Sequence, residues 1–142
     1  MTVQEKQSGQ MQALLQEAVL ARLATARDGQ PHVVPVWFYW DGESVWISAF
    51  RSTRKVKDLL HNPLCSILIE PKEVLPGGLQ AVLFEGRAEL ISMPDPRVEA
   101  MSYCIYLRYL GEQGIQAAEP QSWIHDPENT LVRLTPTKTY TW

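Results

Sequence analysis

The pattern of apolar and polar positions changes period several times along the 142-residue chain, and each change marks an element. Met11, Leu14, Leu15 and Ala18 recur at helical spacing, which predicts a first helix over residues 11–20. The period then shortens. Residues 20–26 read as a first strand, closed by the turn signal Asp28-Gly29-Gln30-Pro31. Residues 32–40, rich in β-branched and aromatic side chains, read as a second strand. Pro35 inside it places that strand at a sheet edge or a bulge. Asp41-Gly42 is a second turn, and residues 44–49 form a third strand. Short strands joined twice in succession through Asp-Gly describe an antiparallel meander.

A helix is predicted over residues 53–61, ending before Pro63, then a fourth strand over 64–70. Residues 71–79 contain Pro76-Gly77-Gly78 and read as a loop. A long fifth strand over 80–91 carries Gly86 as a bulge or bend. Pro94-Asp95-Pro96 opens another helix, with Pro96 acceptable in the first turn and Gly111 a natural stop. Residues 112–119 add a partial turn, 120–129 read as loop, and 130–134 as a sixth strand. The remainder runs out to Trp142. Six short antiparallel strands with interspersed helices predict a small barrel, since closure removes the exposed edges of an open meander. There is no repeat, low-complexity tract or linker, so residues 1–142 read as one domain.

Composition narrows the function classes. Hydrophobic residues at 45% and charged residues at 20% fit a packed globular chain. A net charge of −3 argues against a general nucleic-acid binder. No apolar run approaches bilayer-spanning length, and the N-terminus lacks the basic start and apolar core of a secretory signal. A cytoplasmic location, away from membrane and nucleic acid, is therefore expected. Cys65 and Cys104 form no CxxC pair, and His32, His61 and His125 are scattered, so no metal site is expected. Neither a Walker-type loop nor GxGxxG occurs.

The candidate chemistry gathers in residues 48–62, SAFRSTRKVKDLLHN. Here a strand hands over to a helix start carrying Ser52, Thr53, Arg51, Arg54 and Lys55. The unpaired N–H groups of a first helical turn, with the helix dipole, favour an anion such as phosphate. Arg and Lys add charge-assisted hydrogen bonds. Taken alone, a capped helix beside solvated cations explains the same residues more often.

The surrounding motifs change that balance. In order they are LAT, DGxP, an aromatic strand, S/T-R-K opening a helix, NP, EGRAEL and a terminal LTP. The chain from ARLATARDGQP onward, with FEGRAEL at 84–90 and LVRLTPTKTYTW at 131–142, resembles the pyridoxamine 5′-phosphate oxidase-like superfamily of flavin-binding split barrels. The resemblance covers nearly the whole chain. It implies a mainly β fold, a six-stranded antiparallel split barrel with flanking helices, forming a homodimer with the cofactor at the interface. It implies that Thr53, Arg54 and Lys55 hold the cofactor phosphate and that Ser48 and Ala49 lie beside the ribityl chain. It further implies that the backbone of Val34, Pro35, Val36 and Trp37 lines the flat ring, with Trp123 and Trp142 as candidates for stacking from the partner subunit. The substrate-binding C-terminal region of the founding oxidase is not recognisable. Val34 and Tyr39 also stand where that enzyme carries Arg and Lys. The short members are the better match, and the implied function is an FMN-dependent oxidoreductase with a small-molecule substrate and an electron donor. The alternatives are an F420-dependent reductase or a flavin- or haem-binding protein without turnover. Hydride transfer requires no side-chain nucleophile or base, so no catalytic residue is expected.

Overall fold

The computed structural model describes residues 2–142. Helix α1 spans Val3–Leu15, earlier at both ends than the apolar spacing predicts. Its polar first half has no buried stripe to read. It is started instead by a reciprocal capping box, in which Thr2 accepts from the Glu5 N–H and Glu5 accepts from the Thr2 N–H.

Eight strands follow where six are expected. β1 (Ala21–Arg27) and β2 (Gln30–Val36) form a hairpin. β2 pairs only with β1, so Pro35 sits on an edge strand, as its missing N–H requires. The expected second strand breaks after Val36, because the Phe38 N–H leaves the ladder and donates to the Tyr109 hydroxyl at 3.2 Å. What remains beyond the break is the two-residue β3 (Tyr39–Trp40), paired with β4 (Val45–Phe50). Helix α2 (Arg54–His61), β5 (Leu64–Ile69) and β6 (Val82–Ser92) come next. Helix α3 (Pro96–Gly114) is interrupted at Gly111, whose φ of 75° leaves the helical region where a stop is expected. α4 (Ala118–Ile124) replaces part of an expected loop. Pro120 lies in its first turn, where a missing N–H costs no helical bond. β7 (Asn129–Leu134) precedes β8 (Lys138–Thr141), which pairs with β6 where the chain was expected to run out.

The strand order is β2-β1-β5-β6-β7-β4-β3. Its two ends are joined by only Trp37 and Phe38, so the sheet curls round without closing a ladder. β6 serves both halves: its first part pairs with β5 and β8, its last part with β7. Inward residues fill the barrel with Leu23, Ile67, Ile69, Phe84 and Leu134, and Leu14, Leu15 and Leu59 close its ends. A second cluster, with Trp46, Ile91 and Leu131 facing Val98 and Ile105 of α3, covers the outside of the β6-β7-β4 half. Among the described residues, no helix lies over the outside of the β2-β1-β5-β6 half. There the register lines up Pro35, Arg22, Leu68, Leu83 and Tyr140 in one row across the strands.

Candidate functional site

The handover from β4 to α2 is built from local bonds. The Thr53 N–H donates to the Phe50 carbonyl at 3.0 Å. The Thr53 hydroxyl turns back and donates to that same carbonyl at 2.6 Å. Thr53 thus stands at the cap position but places no oxygen on the helix, and no side chain among the described residues caps α2. The N–H groups of its first turn remain directed outward, the arrangement that accepts an anion.

A cleft of about 180 Å³ opens beside this turn. Ser48, Ala49 and Phe50 from the end of β4 line it, with Thr53 and Lys55 from the start of α2, Tyr106 from α3 and Trp123 from α4. Lys55 is half-buried, and burial pushes its ammonium below the ordinary lysine value of 10.5. Among the described residues it forms no ion pair. A partly desolvated cation without a carboxylate, beside an uncapped helix start, is chemically suited to a phosphate.

The floor of the cleft is a polar network. Ser48 Oγ donates to Asn129 Oδ1 at 2.7 Å and accepts from Ser102 Oγ at 3.1 Å and Tyr106 Oη at 3.3 Å. Asn129 Nδ2 donates to Ser102 Oγ and the Ile124 carbonyl, both at 3.0 Å. Asn129 is 1% exposed and Ser102 0%, so the inner part of the network ties β4, β7 and α3 together out of reach of water, while Ser48 and Tyr106 face the cleft. One donated and two accepted bonds use the full capacity of the Ser48 hydroxyl.

The sequence-predicted residues divide. Ser48, Ala49, Thr53 and Lys55 meet in the cleft. Arg54 lies on the other face of α2, 3.6 Å from the Asp58 carboxylate, in a separate cleft with Arg27 and Lys57. Val34 and Val36 turn inward to the barrel core, and Pro35 points outward. Trp37 packs its ring edge-on against Tyr106 at 5.9 Å and stacks on Tyr109 at 4.8 Å. None of these four lines the cleft, and only Trp37 reaches its wall, through Tyr106. Trp123 belongs to the wall within the same chain, 5.5 Å from Tyr106. Sequence reasoning missed Tyr106, Ser102 and Asn129. The four-residue spacing of Ser102 and Tyr106 on one helix face was the available signal.

Among the described residues, no group of three or more His, Cys, Asp or Glu is placed to hold a metal ion, and no helix is long and apolar enough to cross a membrane.

A family model described as pyridoxamine 5′-phosphate oxidase matches residues 8–142. The chain belongs to this family. Solved structures with the family's fold support the architecture. A conserved hypothetical protein from Mycobacterium tuberculosis superposes with a TM-score of 0.76 at 24% identity, over 100% of this chain and 84% of that one. An F420 reductase gives 0.69 at 24% identity, over 91% and 94%. The haem storage protein of Vibrio cholerae gives 0.74 at 19% identity, over 94% and 93%. No curated protein matches the chain.

The residues present fit the phosphate end of a flavin nucleotide such as the resemblance implies. They do not enclose the whole of one. Sites for ligands of this size run to about 300–1,000 Å³, well above the cleft's volume. In a single chain the free edge of β2 and the row on the outer sheet face lie open.

Proposed function

We propose that this chain is an FMN-dependent oxidoreductase that holds its cofactor at a homodimer interface and acts on a small-molecule substrate with a separate electron donor. The observation that carries the reading is Lys55, half-buried and without a carboxylate, beside the uncapped start of α2. Lys55 and the first-turn N–H groups bind the phosphate. Ala49 and Phe50 flank the chain leading from it, and β2 offers backbone groups to the flat ring. The flavin, when bound, supplies the redox chemistry. A second copy of the chain is needed because the cleft covers one end of the cofactor only. The uncovered sheet face, with Val33 and Leu64 exposed at 61% and 57%, is the surface proposed to receive that copy. Both cysteines are free, in keeping with a reducing cytoplasmic compartment.

A second reading, F420 in place of FMN, is favoured by the cleft on the far face of α2. Arg27, Arg54 and Lys57 line it together with Asp28 and Asp58, which pair with the two arginines, and its volume is about 530 Å³. Lys57, which among the described residues forms no ion pair, is the cation there that suits the acidic tail following the phosphate of F420. The visible absorption spectrum of the purified protein, with mass spectrometry of what denaturation releases, tests both readings. Two flavin bands and released FMN are expected. A single deazaflavin band would move the reaction to F420. Protein that stays colourless and takes up neither added FMN nor F420 would remove the proposal.

A further inference from the structure

We infer that Tyr106 of α3 is a further phosphate-binding residue, its hydroxyl turning from Ser48 to the anion that Lys55 attracts. This rests on the reading of the Lys55 cleft as a phosphate site. It adds a donor from the helical layer outside the barrel to an anchor otherwise built on β4 and α2.

Three observations carry it. Tyr106 lines the same cleft as Lys55 and Thr53. Its bond to Ser48 Oγ, at 3.3 Å, is the longest of the three that meet on that atom. Release of this bond leaves Ser48 with Ser102 and Asn129 as partners, so no buried hydroxyl is stranded. The Tyr106 ring is held from two sides, edge-on by Trp37 at 5.9 Å and tilted against Trp123 at 5.5 Å. Rotation of the C–O bond alone therefore redirects the proton while the oxygen stays at the wall. Ser48, with its capacity used, is the backstop that accepts this proton when no ligand is present. Burial, working against the Ser48 bond, raises the phenol above its ordinary value, so the donor remains protonated under working conditions. A neutral hydroxyl given to a phosphate oxygen forms a charge-assisted bond stronger than the neutral one it replaces.

The test compares FMN with riboflavin, which lacks the phosphate, by fluorescence titration of the full chain. Tyr106→Phe keeps the ring between the two tryptophans and removes only the hydroxyl. It is expected to weaken FMN by about tenfold or more, the scale of a hydrogen bond to a charged group, and to leave riboflavin within about twofold. Tyr109→Phe is the comparison, since it removes a hydroxyl from the same helix, bonded to the Val19 carbonyl and the Phe38 N–H outside the cleft, and it is expected to leave FMN affinity near wild type. An equal loss of FMN affinity in both variants, or an equal loss of FMN and riboflavin in Tyr106→Phe, would reduce Tyr106 to a structural member of the network and overturn the inference. Lys55→Ala separates the two levels. If it weakens FMN while Tyr106→Phe does not, the phosphate site stands and Tyr106 is not part of it. A wild-type protein that binds FMN no better than riboflavin removes both.

Discussion

Arg54 and Lys55 are neighbours in sequence and do different work in the structure. Lys55 faces the cleft with no counter-charge. Arg54 faces away and pairs with Asp58, which is 2% exposed and also accepts from the Thr25 hydroxyl at 2.9 Å. Lys55→Ala is therefore expected to weaken FMN binding by about 1.5–3 kcal/mol, read by titration. Arg54→Ala should change affinity much less and lower folding stability by about 1 kcal/mol or less, because the arginine itself is half exposed; urea denaturation reads that difference. An affinity loss in Arg54→Ala equal to that of Lys55→Ala would place both cations on the ligand. The depressed Lys55 value sets a pH dependence. An anion favours the charged ammonium, so the bound form holds its proton to higher pH than the free form. Binding then takes up a proton in that window, and FMN affinity falls as pH rises through the free-protein titration, which begins below 10.5. Lys55→Arg, charged throughout, should show a flatter alkaline limb in the same titration.

At the scale of elements, β6 makes the split barrel possible, and Gly86 lets it. A Cβ there would meet Leu134 Cδ1 at 2.9 Å and the Thr135 carbonyl at 3.2 Å, where the chain crosses from β7 towards β8. Gly86→Ala is expected to destabilise the fold by about 1–3 kcal/mol, measured as a shift in the urea midpoint at unchanged slope. Elements whose signal is local were legible in the sequence: β1 and β2 from alternation and Asp-Gly, α2 from its hydroxyls and the Pro63 stop. At Gly86 a bulge was expected, but the pairing with β5 runs through it without interruption, and the glycine answers a close approach instead. Elements made by distant partners were not legible. β8 exists because its residues pair with a strand far back along the chain, Tyr140 with Leu83 of β6. β3 is cut off because Tyr109, on a helix seventy-one residues later, takes the Phe38 N–H. The candidate site follows the same rule. Its strand-to-helix half was readable at 48–55, whereas its α3 and β7 half depends on Ser102, Tyr106 and Asn129 arriving from far along the chain.

For the whole molecule, asymmetry is the informative property. One half of the curled sheet is covered by α3 and the other half is bare, with Val33, Ala24, Ser66, Leu68 and Leu83 in its rows beside the charged Arg22 and Glu85. A second copy seated on the bare half would complete a cofactor site that one chain leaves open. Light scattering at micromolar concentration is expected to give a dimer. Leu68→Glu, which places a charge in the middle of that face, is expected to yield a folded monomer with sharply reduced FMN uptake. A monomeric wild-type protein that still binds FMN tightly would contradict an interface site. The double membership of β6 also has a consequence for how the molecule opens. Because each half of the sheet owns part of the same strand, neither half can come apart while the other persists. Amide hydrogens of β6 should therefore exchange with solvent only through complete unfolding, and be the last in the chain to take up deuterium, while α1 and the two-residue β3 label early through local fraying.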